Sequence, residues 1–187
     1  MAIKRPYGVT PFWFWNDDLE KSEVIRQIAA MDAAGVGGFV IHPRVGLPRS
    51  LGWMSEGLLA FMRLACAEAA KRGLRVILYD EGMYPSGSSS GQVVAENSDF
   101  ACRGLELRPG KLKESELGHD ETVACHTIDT KGRDHTVVDR RLRSHIRGLH
   151  YIDESEETED EPPAADLLNP EAMKCFLRLV HGRYAQE

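Results

Sequence analysis

The run Gly-Gly-Phe-Val-Ile-His at residues 37–42 is short and almost wholly apolar, which predicts a buried β-strand. Two similar runs lie before and after it, Thr-Pro-Phe-Trp-Phe-Trp at 10–15 and Leu-Arg-Val-Ile-Leu-Tyr at 74–79. The intervening residues 22–34 and 55–71 carry apolar side chains at helical spacing. Because consecutive strands joined by helices pair in parallel, this order predicts a parallel sheet with helices outside it.

The second half of the chain has a different pattern. Short strand candidates at residues 104–107, 122–128, 135–138 and 149–152 predict a small antiparallel β insertion, with turn residues between some of them. The acidic segment 153–163 follows these strands, and we expect it to be a solvated loop.

These patterns divide the chain into three segments. The β/α units occupy residues 1–100, the β-rich insertion with its acidic loop occupies 101–163, and a helical segment occupies 164–187. The last segment contains a strong helix start at residues 169–171, Asn-Pro-Glu. Asparagine suits the cap position, proline the first turn, and glutamate the positive end of the helix.

The composition argues against several classes of partner. The chain has 187 residues and a formal net charge of −6 at pH 7, whereas binding to nucleic acid needs a basic surface. No apolar run approaches the roughly 20 residues that cross a bilayer, so we expect no membrane partner. No secretory signal is visible at the N-terminus. The four cysteines show no CxxC spacing, which predicts reduced thiols in a cytoplasmic protein.

Aromatic and polar residues gather where the predicted strands end, which is where parallel α/β architectures place their binding residues. The predicted substrate-binding residues are Trp13, Trp15, Asn16, His42, Arg44, Trp53, Tyr79, Asp80, Glu81, Tyr84 and Ser86. Aromatic faces stack on the apolar face of a sugar ring, and the polar groups of this set can hydrogen-bond its hydroxyls. This mixture favours carbohydrate as the ligand, although another polar small molecule would also fit.

The first strand leaves open which of its faces belongs to the core. Trp13 and Trp15 share one face, and Phe12 and Phe14 share the other, so at least one pair is expected to be core. The adjacent carboxylates at residues 80–81 raise a similar question. Because neighbours on an extended chain point to opposite sides, we expect only one of them to face the ligand.

Three motifs resemble the α-L-rhamnosidase-type glycoside hydrolases and their uncharacterised relatives. They are Pro-Phe-Trp-Phe-Trp-Asn at residues 11–16, His-Pro-Arg at 42–44, and Leu-Tyr-Asp-Glu-Gly-Met-Tyr-Pro-Ser-Gly at 78–87. The segment Ala-Asp-Leu-Leu-Asn-Pro-Glu-Ala at 165–172 is also similar. The resemblance covers most of the chain, and it is loose only over residues 103–161.

This resemblance implies a catalytic (β/α)8 TIM barrel in a longer chain. Residues 1–100 would then be its first three β/α units, with an antiparallel β insertion after the third strand, and 164–187 a helix returning to the barrel. The implied reaction is hydrolysis of O-glycosidic bonds in a poly- or oligosaccharide, which needs two carboxyl groups. We expect that acid/base pair beyond Glu187, so the present segment would be inactive alone.

The expected partners of such a segment are a carbohydrate substrate and the rest of the barrel. No cofactor is expected here, although the resemblance allows a calcium ion in the complete enzyme, since carboxylates suit that ion. Two other functions stay open. One is a non-catalytic carbohydrate-binding or degenerate barrel fragment. The other is a metal-dependent hydrolase or isomerase with His42, Asp80 and Glu81 as ligands.

Overall fold

A three-stranded parallel sheet forms the first part of the structure. The computed structural model describes residues 3–44, 46–82, 86–142 and 164–186. The strands of this sheet are β1 (Phe12–Trp15), β2 (Gly38–Pro43) and β3 (Arg75–Leu78). They lie in the order β1-β2-β3, and both pairs are parallel. The three strands predicted in this half of the chain are confirmed.

Two helices connect these strands, and both were predicted. Helix α1 (Lys21–Ala33) joins β1 to β2, and helix α2 (Glu56–Arg72) joins β2 to β3. The Ser55 side chain caps α2 by accepting a hydrogen bond from the N–H of Leu58 at 3.2 Å. At the other end Gly73 adopts a left-handed conformation with φ of 67°, which ends the helix.

The core lies between these helices and one face of the sheet. Phe39 and Ile41 of β2 are fully buried and form one cluster with Ile28 of α1 and with Leu58 and Met62 of α2. Strand residues alternate between the two faces of a sheet, so every second residue of β2 points to the helices. Burial of these large apolar side chains is the main stabilising contribution in this part of the molecule.

A separate antiparallel sheet follows in the chain. Its strands are β4 (Arg103–Pro109), β5 (Glu121–Ile128) and β6 (Asp134–Arg141). They lie in the order β4-β6-β5, with a register irregularity between Val123 and Cys125. Three of the four strand candidates in this region are therefore confirmed. The fourth, at 149–152, and the acidic segment 153–163 lie outside the described residues.

The remaining elements are short, apart from one amphipathic helix. Helix α3 (Gln92–Glu96) precedes the antiparallel sheet, and helices α4 (Pro170–Leu179) and α5 (His181–Tyr184) follow it. Single 3-10 turns lie at Arg49–Leu51, Ser98–Phe100 and Glu114–Glu116. Helix α4 packs into the first core through Ala172, Cys175 and Phe176. The chain thus returns to the parallel sheet after the antiparallel one.

The start of α4 is as predicted, and it yields a stability prediction. The Asn169 side chain accepts hydrogen bonds from the N–H groups of Glu171 at 3.0 Å and Ala172 at 3.4 Å. Replacing Asn169 by alanine leaves both donors without this partner, and we expect the free energy of unfolding to fall by about 1 kcal/mol. Chemical denaturation measures this change. Asn169→Asp, which retains a capping oxygen, should stay within roughly 0.5 kcal/mol of the parent protein.

The predicted fold class, a partial (β/α)8 barrel, is wrong. The described chain is a small mixed α/β structure with a three-stranded parallel sheet and a separate three-stranded antiparallel sheet. A barrel needs each strand to be followed by a covering helix and the next parallel strand. After β3 the described chain instead passes through the five-residue helix α3 into antiparallel strands. Local periodicity identified the β/α units, but it carries no information on whether a sheet closes.

Disulfides and membrane-spanning helices are absent from the described residues. The four cysteines are unpaired in the structure, and Cys175 is buried among the core side chains. Within the described ranges, no helix is both long and apolar enough to cross a bilayer.

Candidate ligand-binding site

The face of the parallel sheet opposite α1 and α2 carries a group of aromatic rings. Phe12 and Phe14 point to this face, and they are 55% and 48% exposed. The register places Phe14 beside His42 of β2, and Tyr79 follows the end of β3. We call the four rings of Phe12, Phe14, His42 and Tyr79 the aromatic platform. Phe14, His42 and Tyr79 lie near or just beyond the carboxyl ends of their strands, whereas Phe12 is the first residue of β1.

His42 is the centre of the platform. Its ring centroid lies 5.4 Å from that of Phe12 and 5.3 Å from that of Phe14, with both phenyl rings nearly perpendicular to it. The Tyr79 ring is closer, at 4.0 Å, and is tilted by 33°. These edge-to-face contacts are the favoured geometry of aromatic pairs and fix the ring positions.

The surroundings of the His42 side chain favour its neutral form. Only 8% of the residue is exposed, and its Nδ1 atom has no hydrogen-bond partner among the described residues. Burial lowers the pKa of His42, and the positive charge of Arg44 lowers it further. A neutral imidazole can both donate and accept a hydrogen bond, which suits a hydroxyl group of a ligand.

A carboxylate marks the β3 end of the platform. The Tyr79 hydroxyl donates to Oε2 of Glu81 at 3.4 Å, and the Ser86 hydroxyl donates to Oε1. Burial raises the pKa of Glu81, and the neighbouring Asp80 raises it further, while the hydrogen bond from Tyr79 opposes both effects. Glu81 is thus a half-buried carboxyl group with hydroxyl partners at the edge of an aromatic surface.

A guanidinium marks the opposite end of the platform. The Arg44 side chain is exposed and lies over the Phe14 ring, with Cζ 5.2 Å from the ring centroid. Its backbone N–H donates to the carbonyl oxygen of Trp15 at 2.9 Å, which ties the end of β2 to the end of β1. The platform therefore carries positive charge at its β1 side and negative charge at its β3 side.

Two residues of helix α5 contact the segment that follows β3, at the negatively charged end of the platform. The Tyr184 hydroxyl donates to the carbonyl oxygen of Tyr79 at 2.8 Å, and His181 Nε2 lies 3.3 Å from Oδ2 of Asp80. Burial raises the pKa of Tyr184, so this hydroxyl remains a donor. Sequence reasoning missed both residues, because a contact between positions about 100 residues apart has no local signal. The sequence left open whether Phe12 and Phe14 or the two tryptophans of β1 belong to the core, because the alternation rule alone cannot assign a face.

The other predicted site residues lie away from the platform. Trp13 and Trp15 face the helices, where Trp15 is only 2% exposed and Trp13 Nε1 donates to Gln27 at 2.7 Å. Trp53 is 3% exposed and belongs to the core. Asn16 is exposed at the turn after β1. Tyr84 lies outside the described residues. The platform thus brings together His42, Arg44, Tyr79, Asp80, Glu81 and Ser86 from the predicted set.

His42, Asp80 and Glu81 do not form a metal site in the structure. Among the described residues, no group of three or more His, Cys, Asp or Glu side chains is arranged to hold a metal ion. Asp80 instead lies next to His181, and Glu81 accepts hydrogen bonds from hydroxyl groups.

Comparisons with known proteins add no relative to this description. No protein-family model matches the chain, and neither the curated proteins nor the solved structures contain a match.

Proposed function

We propose that the aromatic platform binds carbohydrate and that the chain supplies the sugar-binding surface of a glycoside hydrolase. The observation that carries the proposal is an open sheet face on which the exposed rings of Phe12 and Phe14 lie beside the buried His42 and the half-buried Tyr79, with hydrogen-bonding groups at both ends. Aromatic faces contact the apolar face of a sugar, and the flanking polar groups satisfy its hydroxyls. Phe12 and Phe14 are neighbouring exposed rings, with centroids 6.1 Å apart, and contiguous exposed apolar surface is typical of binding sites.

The resemblance to rhamnosidase-type enzymes supports the same proposal. Two of its motifs, at residues 42–44 and 78–87, contribute side chains to the platform, namely His42, Arg44, Tyr79 and Glu81. The proposal does not include the barrel that the resemblance implied, because the described residues form a mixed α/β structure instead. What the proposal retains is the ligand class and the location of the ligand.

We propose a binding role, and not a catalytic one, for the carboxylates at the platform. Glycoside hydrolysis needs two carboxyl groups on either side of the scissile bond, about 5 to 9.5 Å apart. At the platform the described carboxylates are Asp80 and Glu81, which are neighbours in sequence, and Asp80 is next to His181. We therefore expect the isolated chain to bind sugars without hydrolysing them.

Calorimetric titration of the folded chain with rhamnose-containing oligosaccharides tests the proposal. We expect saturable binding, and we expect Phe14→Ala to weaken it about three- to tenfold, since an aromatic contact contributes roughly 0.5–1.5 kcal/mol. Leu105→Ala is the matched control. Leu105 is an apolar residue of β4 that is 71% exposed and remote from the platform in the fold, so its loss should leave affinity unchanged.

Two results would count against the proposal. The absence of binding heat with any glycan, from a protein shown to be folded, would remove the carbohydrate assignment. Equal weakening by Phe14→Ala and Leu105→Ala would move the binding surface away from the platform. Measurable hydrolysis by the isolated chain would contradict only the binding role given to Asp80 and Glu81.

A further inference from the structure

Opposite charges lie at the two ends of the aromatic platform. The three rings in the row come from β1, from β2 and from the segment after β3, with centroids 5.3 Å apart between Phe14 and His42 and 4.0 Å apart between His42 and Tyr79. Arg44 lies over the first ring, and Glu81 accepts a hydrogen bond from the last. A ring-sized ligand lying on this row would meet a cation at one end and a carboxyl group at the other.

The guanidinium of Arg44 has N–H donors that no described carboxylate accepts. Arg44 is exposed and forms no ion pair with any described carboxylate. Its guanidinium contacts the Phe14 ring. A guanidinium presents a planar set of N–H donors that matches a carboxylate in a two-point contact. Stacking on the phenyl ring holds the guanidinium plane beside the platform and leaves its edge available.

The negative end is already partnered within the protein. Glu81 accepts hydrogen bonds from Tyr79 and Ser86, and Asp80 lies 3.3 Å from His181 Nε2. Carboxylates in this position can accept hydrogen bonds from hydroxyl groups of a ligand, but they repel a second carboxylate. The charge distribution therefore favours one orientation of an acidic ligand over the reverse.

We infer that the sugar recognised by this platform is acidic, a uronic acid whose carboxylate pairs with Arg44 and whose hydroxyls face Glu81. This inference rests on the proposed function and narrows its ligand class. It assigns Arg44 as the residue that determines specificity. A neutral hexose would use the rings and the hydroxyl contacts but would leave the guanidinium without its carboxylate.

The test compares each acid with its own neutral ester. The probes are the methyl glycosides of glucuronic and galacturonic acid and the methyl esters of both, titrated by calorimetry at low ionic strength. For at least one of the two sugars we expect the acid to bind about tenfold more tightly than its ester, the size of one charge-assisted contact at an exposed site. In Arg44→Gln this acid-to-ester ratio should fall to about one.

A second arginine, Arg26, serves as the control that shows whether the preference for the acid depends on Arg44 itself. Arg26 on α1 is exposed and pairs with Glu23. Arg26→Gln removes one positive charge, as Arg44→Gln does, and should keep the tenfold ratio. Thermal unfolding verifies that both variants are folded. Arg44→Lys retains the charge but not the planar donors, and it should give an intermediate ratio.

The outcomes separate this inference from the proposed function. Equal binding of acid and ester by the parent protein would overturn the acidic-sugar assignment while leaving carbohydrate binding intact. A ratio that stays near tenfold in Arg44→Gln would overturn the role of Arg44. The absence of binding of any of these probes or of a neutral oligosaccharide would overturn both proposals together.

Discussion

Replacing Trp53 by alanine is expected to lower the free energy of unfolding by about 3–5 kcal/mol, the range for deletion of a buried tryptophan. Trp53 is 3% exposed and belongs to the core between the sheet and the helices. Its indole Nε1 donates to the Ser89 hydroxyl at 3.0 Å, so the variant leaves both a cavity and a buried hydroxyl without this donor. Denaturant titration followed by circular dichroism measures the loss.

Phe12→Ala is the matched control for this prediction. Phe12 is also aromatic, but it is 55% exposed, so its truncation should cost less than about 1 kcal/mol. A small effect at Trp53 together with a large one at Phe12 would mean that the two sheet faces have been assigned the wrong way round. Trp53→Phe refills most of the volume, and it should recover part of the lost stability.

Gly82→Ala is expected to affect both stability and ligand binding. Gly82 is buried, and a methyl carbon added there would lie 2.8 Å from Cγ of Trp53 and 2.8 Å from Cβ of Ser90. Neither neighbour is a flexible side-chain end, so the backbone of residues 80–82 must move. Overpacking of this kind costs about 1–3 kcal/mol. Because Glu81 directly precedes Gly82, we also expect sugar affinity to fall at least severalfold.

Gly118→Ala provides the comparison for Gly82→Ala. Gly118 is exposed, and an added methyl carbon would be no closer than 3.4 Å to its neighbours, which is ordinary contact. This variant should stay within about 0.5 kcal/mol of the parent protein and bind sugar normally. If Gly82→Ala loses stability but keeps full affinity, the position of Glu81 does not matter for binding.

The local elements of this protein could be predicted because their signals are local. The apolar runs around Phe39 and Val76 and the cap at Asn169 each specify a strand or a helix end within a few residues. The fold class depends instead on which strands pair and where the sheet ends. These are long-range choices. The alternation of strands and helices predicted a parallel sheet, which the structure has, and the barrel was implied only by the resemblance.

The candidate site could be predicted in part for the same reason. His42 lies near the end of β2, and Arg44 and Glu81 follow the ends of β2 and β3. The rule that binding residues lie at these ends of parallel strands needs only the order of strands and helices along the chain. Trp53 was assigned to the site because tryptophan is common at sugar-binding surfaces, whereas packing placed it in the core. The assignment of Phe14 to the open face depends on where the helices lie. Alternation along a strand cannot supply that information.

Titration of the folded chain with rhamnose-containing and uronic oligosaccharides, followed by two-dimensional NMR of the aromatic side chains, shows whether the aromatic platform binds carbohydrate. We predict saturable shifts of the ring signals of Phe12, Phe14, His42 and Tyr79, with the signals of the buried Trp53 little changed. Saturable shifts confined to the antiparallel sheet, or no shifts with any glycan, would contradict the claim that the aromatic platform is a carbohydrate-binding site.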